Sequence, residues 1–154
     1  MPNNSDSIIV DTSCLILLSR INKISLLKLP GRELFTTPQV RNEYKTALPS
    51  WINFIKPQKE VVDEIISMNL DLGEASAIAL AMDLKNSLLI IDDFKGRKVA
   101  AELNIRYSGS LGLILRAKQE RILPSVKPVV KKIEKTNFRV DKSLLSTILQ
   151  EAGE

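Results

Sequence analysis

Histidine is absent from the 154 residues, and cysteine occurs once, as Cys14. The first absence excludes His-based triads, HExxH zinc sites and imidazole acid–base catalysis within this chain. The second excludes an intramolecular disulfide and any multi-cysteine zinc or iron–sulfur centre. Cys14 sits in the apolar run that ends at Leu18 and reads as core rather than nucleophile. Aromatic residues number only seven, so Trp51 and Phe54 read as packing residues before base-stacking ones. Glycines are few, and no G-x-G-x-x-G or P-loop pattern is present; Gly73 and Gly96 read as turn residues. No apolar run approaches the ~18 residues that span a bilayer. The polar start, Met1 to Ser7, lacks the basic and apolar regions of a signal peptide. The expectation is a cytoplasmic protein with a flexible N-terminus over residues 1–6. Chemistry is left to carboxylates, hydroxyls, Lys and Arg.

What is present suits one soluble globular domain: 44% hydrophobic and 26% charged residues, enough to bury a core without staples. The net charge of +4 hides an uneven distribution. Residues 1–94 carry 9 bases and 12 acids, whereas residues 95–142 carry 13 bases and 4 acids. An acidic front meeting a basic back suggests a polyanionic partner, with a solvated Lys-rich helix face as the plainer alternative.

Short apolar runs alternate with helical patterns. Strands are expected at Ile8–Val10, Leu34–Thr36, Leu88–Ile91 and Ile105–Tyr107. A helix is predicted from Ser13 to Leu29. Thr37-Pro38 has the form of an N-cap with Pro at the first helical position, opening a helix that carries Glu43 and ends near Lys45. Pro49 and Pro57 bracket a connection, and Lys59–Met68 has helical spacing. The helix from Glu74 to Leu84 is apolar on nearly every side and is therefore expected to be buried. Further helices are predicted over Gly96–Leu103, from a Ser110 cap to Gln119, and after Pro124 and Asp141. This alternation implies an α/β fold, a mostly parallel sheet with helices on both faces, followed by C-terminal helices. The expected division is a main domain over residues 7–123 and a helical extension, 124–154, packed on it.

In such folds ligands bind beyond the carboxyl ends of the strands. Asp11 ends the first strand, Asp92 and Asp93 end the Leu88–Ile91 strand, Glu43 lies in the helix after the second strand, and Glu74 opens the buried helix. Converging carboxylates repel and raise one another's pKa, and a divalent cation removes that penalty. An all-oxygen set selects Mg²⁺ or Mn²⁺, ions that activate water and clamp an in-line phosphoryl displacement without histidine. The competing reading is structural. Asp11, Asp92 and Asp93 are good N-caps, Asp71-Leu72-Gly73-Glu74 has the form of a capping box, and Glu43 suits an exposed helix face.

Five blocks carry a resemblance: Ile8-Ile9-Val10-Asp11-Thr12-Ser13, Pro38-Gln39-Val40-Arg41-Asn42-Glu43, Leu72-Gly73-Glu74-Ala75-Ser76-Ala77-Ile78-Ala79-Leu80-Ala81, Ile90-Ile91-Asp92-Asp93-Phe94-Lys95-Gly96-Arg97 and Gly109-Ser110-Leu111-Gly112-Leu113-Ile114-Leu115-Arg116-Ala117-Lys118. In this order they resemble a PIN domain of the kind found in VapC-type toxins, closest to the subfamily of predicted PIN-containing nucleic-acid-binding proteins. The resemblance runs from about residue 7 to 150. It implies a PIN-like three-layer α/β/α fold and a Mg²⁺- or Mn²⁺-dependent ribonuclease, the toxin of a toxin–antitoxin pair. It places Asp11, Glu43, Glu74 and Asp93 in the metal shell and catalytic set, with Asp92 as the alternate ligand. Thr12 or Ser13 is expected to hydrogen-bond a ligand carboxylate or the substrate phosphate. Lys95, Arg97 and Lys98 are expected to approach the RNA backbone. A small antitoxin protein and a homodimer are the implied partners, with no membrane involved. Many PIN nucleases carry Asp where this chain has Glu74, one methylene longer.

Other functions compete. A non-catalytic PIN-fold RNA-binding or interaction domain is the alternative that Glu74 permits. A receiver-like phosphoacceptor needs an acidic pair after the first strand and a lone Asp later, the reverse of Asp11 followed by Asp92-Asp93. A haloacid-dehalogenase-type phosphatase needs Asp where Ser13 stands. The chain after Ser125 is basic (Lys127, Lys131, Lys132, Lys135, Arg139, Lys142), with apolar spacing suited to packing on the domain or on a partner.

Overall fold

The computed structural model describes residues 7–154; the expectation for residues 1–6 lies outside the described residues. Five strands, β1 (Ser7–Val10), β2 (Leu34–Thr36), β3 (Ile52–Phe54), β4 (Ser87–Ile90) and β5 (Tyr107–Ser108), form one sheet in the order β3-β2-β1-β4-β5. Every pairing is parallel, so the sheet is wholly rather than mostly parallel. The central strands are apolar without interruption because both faces are covered. Side chains alternate between the faces. Ile8, Val10, Leu88 and Ile90 enter one core, with α1 (Thr12–Arg20), α6 (Ser110–Gln119), α7 (Lys127–Glu134) and α8 (Lys142–Glu151). Ile9, Leu89 and Ile91 enter the other, with α3 (Lys59–Ile66), α4 (Leu72–Asp83) and α5 (Phe94–Glu102). Helix α4 is buried from Ala75 to Ala81, as its near-uniform apolar surface predicted.

The C-terminal helices are part of the first core: Val129, Val130 and Ile133 of α7 and Leu145 and Ile148 of α8 are all buried in it. Glu154 ties them down. Its carboxylate pairs with Lys118 at 2.7 Å and accepts from the backbone N–H groups of Val126 and Lys127, at the start of α7.

Several expectations need correction. The Ser13–Leu29 helix is broken: α1 stops at Arg20, Asn22 turns left-handed (φ 56°), and a separate 3-10 turn spans Ile24–Leu27. The connection between Pro49 and Pro57 contains edge strand β3, paired through Leu34 with Ile52. Helix α4 begins at Leu72, and Gly73 and Gly96 lie inside the first turns of α4 and α5 rather than in turns between elements. Gly109, not Ser110, is the N-cap position of α6. Cys14 is a buried free thiol and Trp51 borders the first core, whereas Phe54 is exposed beneath the Arg41 guanidinium, 4.7 Å from its ring centroid. Among the described residues, no helix is long and apolar enough to cross a membrane.

Candidate active site

The strand order reverses direction at β1 and β4: from β1 the chain moves outward to β2 and β3, from β4 to β5. A crevice opens beyond the carboxyl ends of the strands at such a reversal. Here it is a cleft of about 470 Å³ whose walls carry Asp11, Glu43, Asp71, Glu74, Asp92 and Asp93, with Thr12 and Ser13. All five carboxylates singled out from the sequence therefore share one cavity, and the structure adds a sixth, Asp71.

Each wall is locally held. Asp11 follows β1 directly, and β1 is paired on both sides. Thr37 caps α2 (Pro38–Tyr44) by accepting from the Val40 N–H at 3.1 Å, and its hydroxyl meets that of Ser76 at 2.7 Å. Ser76 donates in turn to the Gly73 carbonyl at 2.7 Å. This buried hydroxyl chain fastens α2, which bears Glu43, to α4, which bears Glu74.

Two glycines make room for carboxylates. A Cβ on Gly73 would fall on the Glu43 carboxyl group, which instead meets the Gly73 N–H. A Cβ on Gly96 would stand 3.1 Å from Glu74 Oε2 and 2.5 Å from Ile91 Cδ1. Their role is close approach, which a scan for phosphate-binding glycine motifs does not detect.

The capping alternative holds for some acids and fails for others. Asp93 caps α5, accepting from the Gly96 N–H at 3.2 Å. Asp92 is held at the start of α6, by the Ser110 N–H at 2.8 Å and the Ser110 hydroxyl at 2.5 Å. Asp11 and Asp71 occupy cap positions but make no side-chain cap bond, so the capping box at Asp71–Glu74 does not form. Asp11 Oδ1, Glu74 Oε2 and the hydroxyls of Thr12 and Ser13 are buried with no hydrogen-bond partner. Buried polar atoms without partners are rare and costly in folded proteins.

The electrostatics follow from this crowding. Asp11 is 2% exposed, and burial raises its pKa from 3.8 to about 7, with the charges of Glu43, Asp92 and Asp71 adding to the rise and the Thr12 N–H opposing it. Glu74 is raised from 4.5 to about 8, by burial first, then by Asp11, Asp93 and Asp71, and by a shared hydrogen bond with Asp93. Glu43 moves upward too, through burial and Asp71, with the Gly73 N–H pulling it back. Without a counter-charge, then, Asp11 and Glu74 hold protons near neutral pH. Among the described residues no three acidic side chains close on one point as a ready-made metal cage.

The basic residues divide. Lys95 and Lys98 are exposed on α5 and line neither this cleft nor the cavity next to it. Arg97 is half-buried, its guanidinium 5.3 Å from the Tyr107 ring centroid, and lines the neighbouring cavity. Sequence reasoning missed Asp71, Phe138 and Arg139 as cleft residues. Asp71 resembled an ordinary cap, and the other two sit on the loop between α7 and α8, far along the chain from the acids of the cleft.

A family model described as a PIN domain matches residues 7–154. No curated protein matches the chain.

Proposed function

We propose, from the premise that the chain belongs to the PIN-domain family, a nuclease fold, that it is a divalent-metal-dependent endoribonuclease. The observation that carries this reading is the convergence of six carboxylates on one cleft where one oxygen each of Asp11 and Glu74 is buried without a partner. Carboxylate and hydroxyl oxygens fit a hard ion, Mg²⁺ or Mn²⁺, that keeps part of its water shell. Asp11, Glu43, Glu74 and Asp93 would hold it, with Asp92 as the alternate ligand. When bound, such an ion supplies Lewis-acid stabilisation of the phosphoryl group and a more acidic water.

The residues themselves do the rest. Asp11 and Glu74 must each release a proton before they can ligate, so cation affinity rises with pH up to about 8. The hydroxyls of Thr12 and Ser13, unpartnered beside Asp11, are donors for a ligand carboxylate or a substrate phosphate oxygen. Asp92, fixed by Ser110, supports the site as a rigid charge. Lys95, Arg97 and Lys98 serve the RNA backbone, the two lysines at a distance from the cleft. The biological reading is the toxin of a toxin–antitoxin pair, acting in the cytoplasm as a homodimer restrained by a small antitoxin protein. The resemblance to VapC-type toxins and the basic, partly exposed α7–α8 face support it.

Calorimetric titration of Mn²⁺ into wild type and Asp11→Asn, followed by RNA cleavage with and without EDTA, tests the reading. Saturable binding lost in the variant, with cleavage abolished by EDTA, is expected. Bound Mn²⁺ without cleavage of any RNA would leave the non-catalytic RNA-binding alternative, and no binding at millimolar Mn²⁺ would remove the metal site.

A further inference from the structure

Beside the acidic cleft lies a second cavity, of about 290 Å³, which shares Asp92, Phe138 and Arg139 with it. Its character differs. Leu111, Leu144 and Ile148 give it an apolar wall, and Arg97 and Arg139 also line it. The two carboxylates that touch it are already committed: Asp92 accepts from Ser110, and Asp141 caps α8 through the Ser143 N–H at 3.0 Å. Neither arginine forms an ion pair among the described residues, and Arg97 Nε is buried without a partner. Gly109 lets Arg97 and Asp92 approach, since a Cβ there would stand 3.0 Å from Asp92 Oδ1 and 3.6 Å from an Arg97 terminal nitrogen.

An apolar slot lined by two arginines that form no ion pair, and continuous with the acidic cleft, matches one nucleotide of an RNA strand. Arg is suited to phosphate oxygens through its planar fork. The apolar wall and the Phe138 ring suit the face of a base. We infer that this cavity is a nucleotide subsite: it takes the unpaired base next to the scissile phosphate, and Arg97 and Arg139 grip the adjoining phosphate. A paired base cannot enter such a slot, so the subsite requires an unpaired nucleotide. The inference rests on the acidic cleft being where the RNA backbone is cut.

Fluorescence anisotropy of the full chain in EDTA, with a labelled single-stranded RNA ten-mer and its duplex, tests the subsite apart from metal and catalysis. Arg139→Gln removes a charge from an exposed loop, and Leu144→Trp fills the slot from a side chain that is 44% exposed. The parent should prefer the single strand, and each variant should weaken that binding about tenfold with its melting temperature unchanged. With Mn²⁺, KM for cleavage should rise by the same factor while kcat stays within twofold. Equal affinity for duplex and single strand, absence of RNA binding, or unchanged affinity in both variants would overturn the subsite. The two readings fail separately. A protein that binds as expected but never cleaves keeps the subsite and loses the reaction. One that cleaves with an unchanged KM in both variants loses the subsite and keeps the reaction.

Discussion

Replacing Asp11 by Asn should make the metal-free protein more stable at pH 8. The carboxyl group is 2% exposed, and its pKa rises from 3.8 to about 7 on folding. The folded state therefore binds this proton more tightly than the unfolded state does, and stability falls as pH rises between those two values. The penalty is absent near pH 4 and complete above about pH 7. At about 1.4 kcal/mol per tenfold change in proton affinity, its upper bound is about 4 kcal/mol. Asn keeps the shape, carries no charge, and can turn its amide N–H toward the surrounding carboxylates. If half the penalty is recovered, the melting temperature in EDTA should rise by about 4–8 °C at pH 8 in a chain of this size. It should not change at pH 4. Glu74 is raised first by burial, a part that cancels in the comparison, and the part due to the Asp11 charge adds to the gain. Adding Mn²⁺ at pH 8 should invert the order, because only the wild type gains a ligand-linked stabilisation. Melting curves at pH 4 and 8, with EDTA or Mn²⁺, supply every term. A variant no more stable than wild type at pH 8, or a difference that ignores pH, would refute the reasoning.

Three further perturbations separate site from scaffold. Gly73→Ala pushes away only the flexible end of Glu43 and gains helix propensity, so RNA cleavage should fall at least about tenfold while the melting temperature holds or rises; full activity would show that the position of Glu43 is immaterial. Thr37→Val removes the α2 cap and the hydroxyl contact to Ser76, and should cost about 1–2 kcal/mol by urea denaturation. Glu154→Gln should loosen α7 and lower the melting temperature at pH 7. Because hydrogen bonds from Lys118 and Ser125 hold the Glu154 carboxyl down to about 2, the difference should shrink as pH falls from 4.5 toward that value.

Much of this molecule is legible from the order of its residues, for identifiable reasons. The parallel sheet follows from apolar runs such as Leu88–Ile91, which make sense only when both faces are covered. The gathering of Asp11, Glu74, Asp92 and Asp93 follows from their places at strand ends and helix starts, and Glu43 joins them from the last turn of the helix after β2. What sequence misses is of another kind. The broken stretch after α1 keeps Ile21, Leu26, Leu27 and Leu29 buried, and periodicity reports burial rather than helical continuity. Strand β3 is three residues long, lies at the edge and is flanked by prolines. Asp71 is indistinguishable from a cap until its side chain is seen to make no cap bond. Arg139 reaches the cleft through the packing of α7 and α8 on the first core, a relation with no local signature.

The pairing of Ile8 with Leu88 sets when the cleft comes into being. Asp11 follows β1 whereas Asp92 and Asp93 follow β4, so these acids meet only after both strands have left the ribosome and paired. Arg139 arrives later still, carried by a loop that needs both α7 and α8 in place. Domains fold as units behind the ribosome. A growing chain therefore holds scattered carboxylates and no cleft until β4, α7 and α8 have all followed β1. Under the proposed ribonuclease activity, assembly from such distant segments leaves an incomplete chain unable to cut RNA.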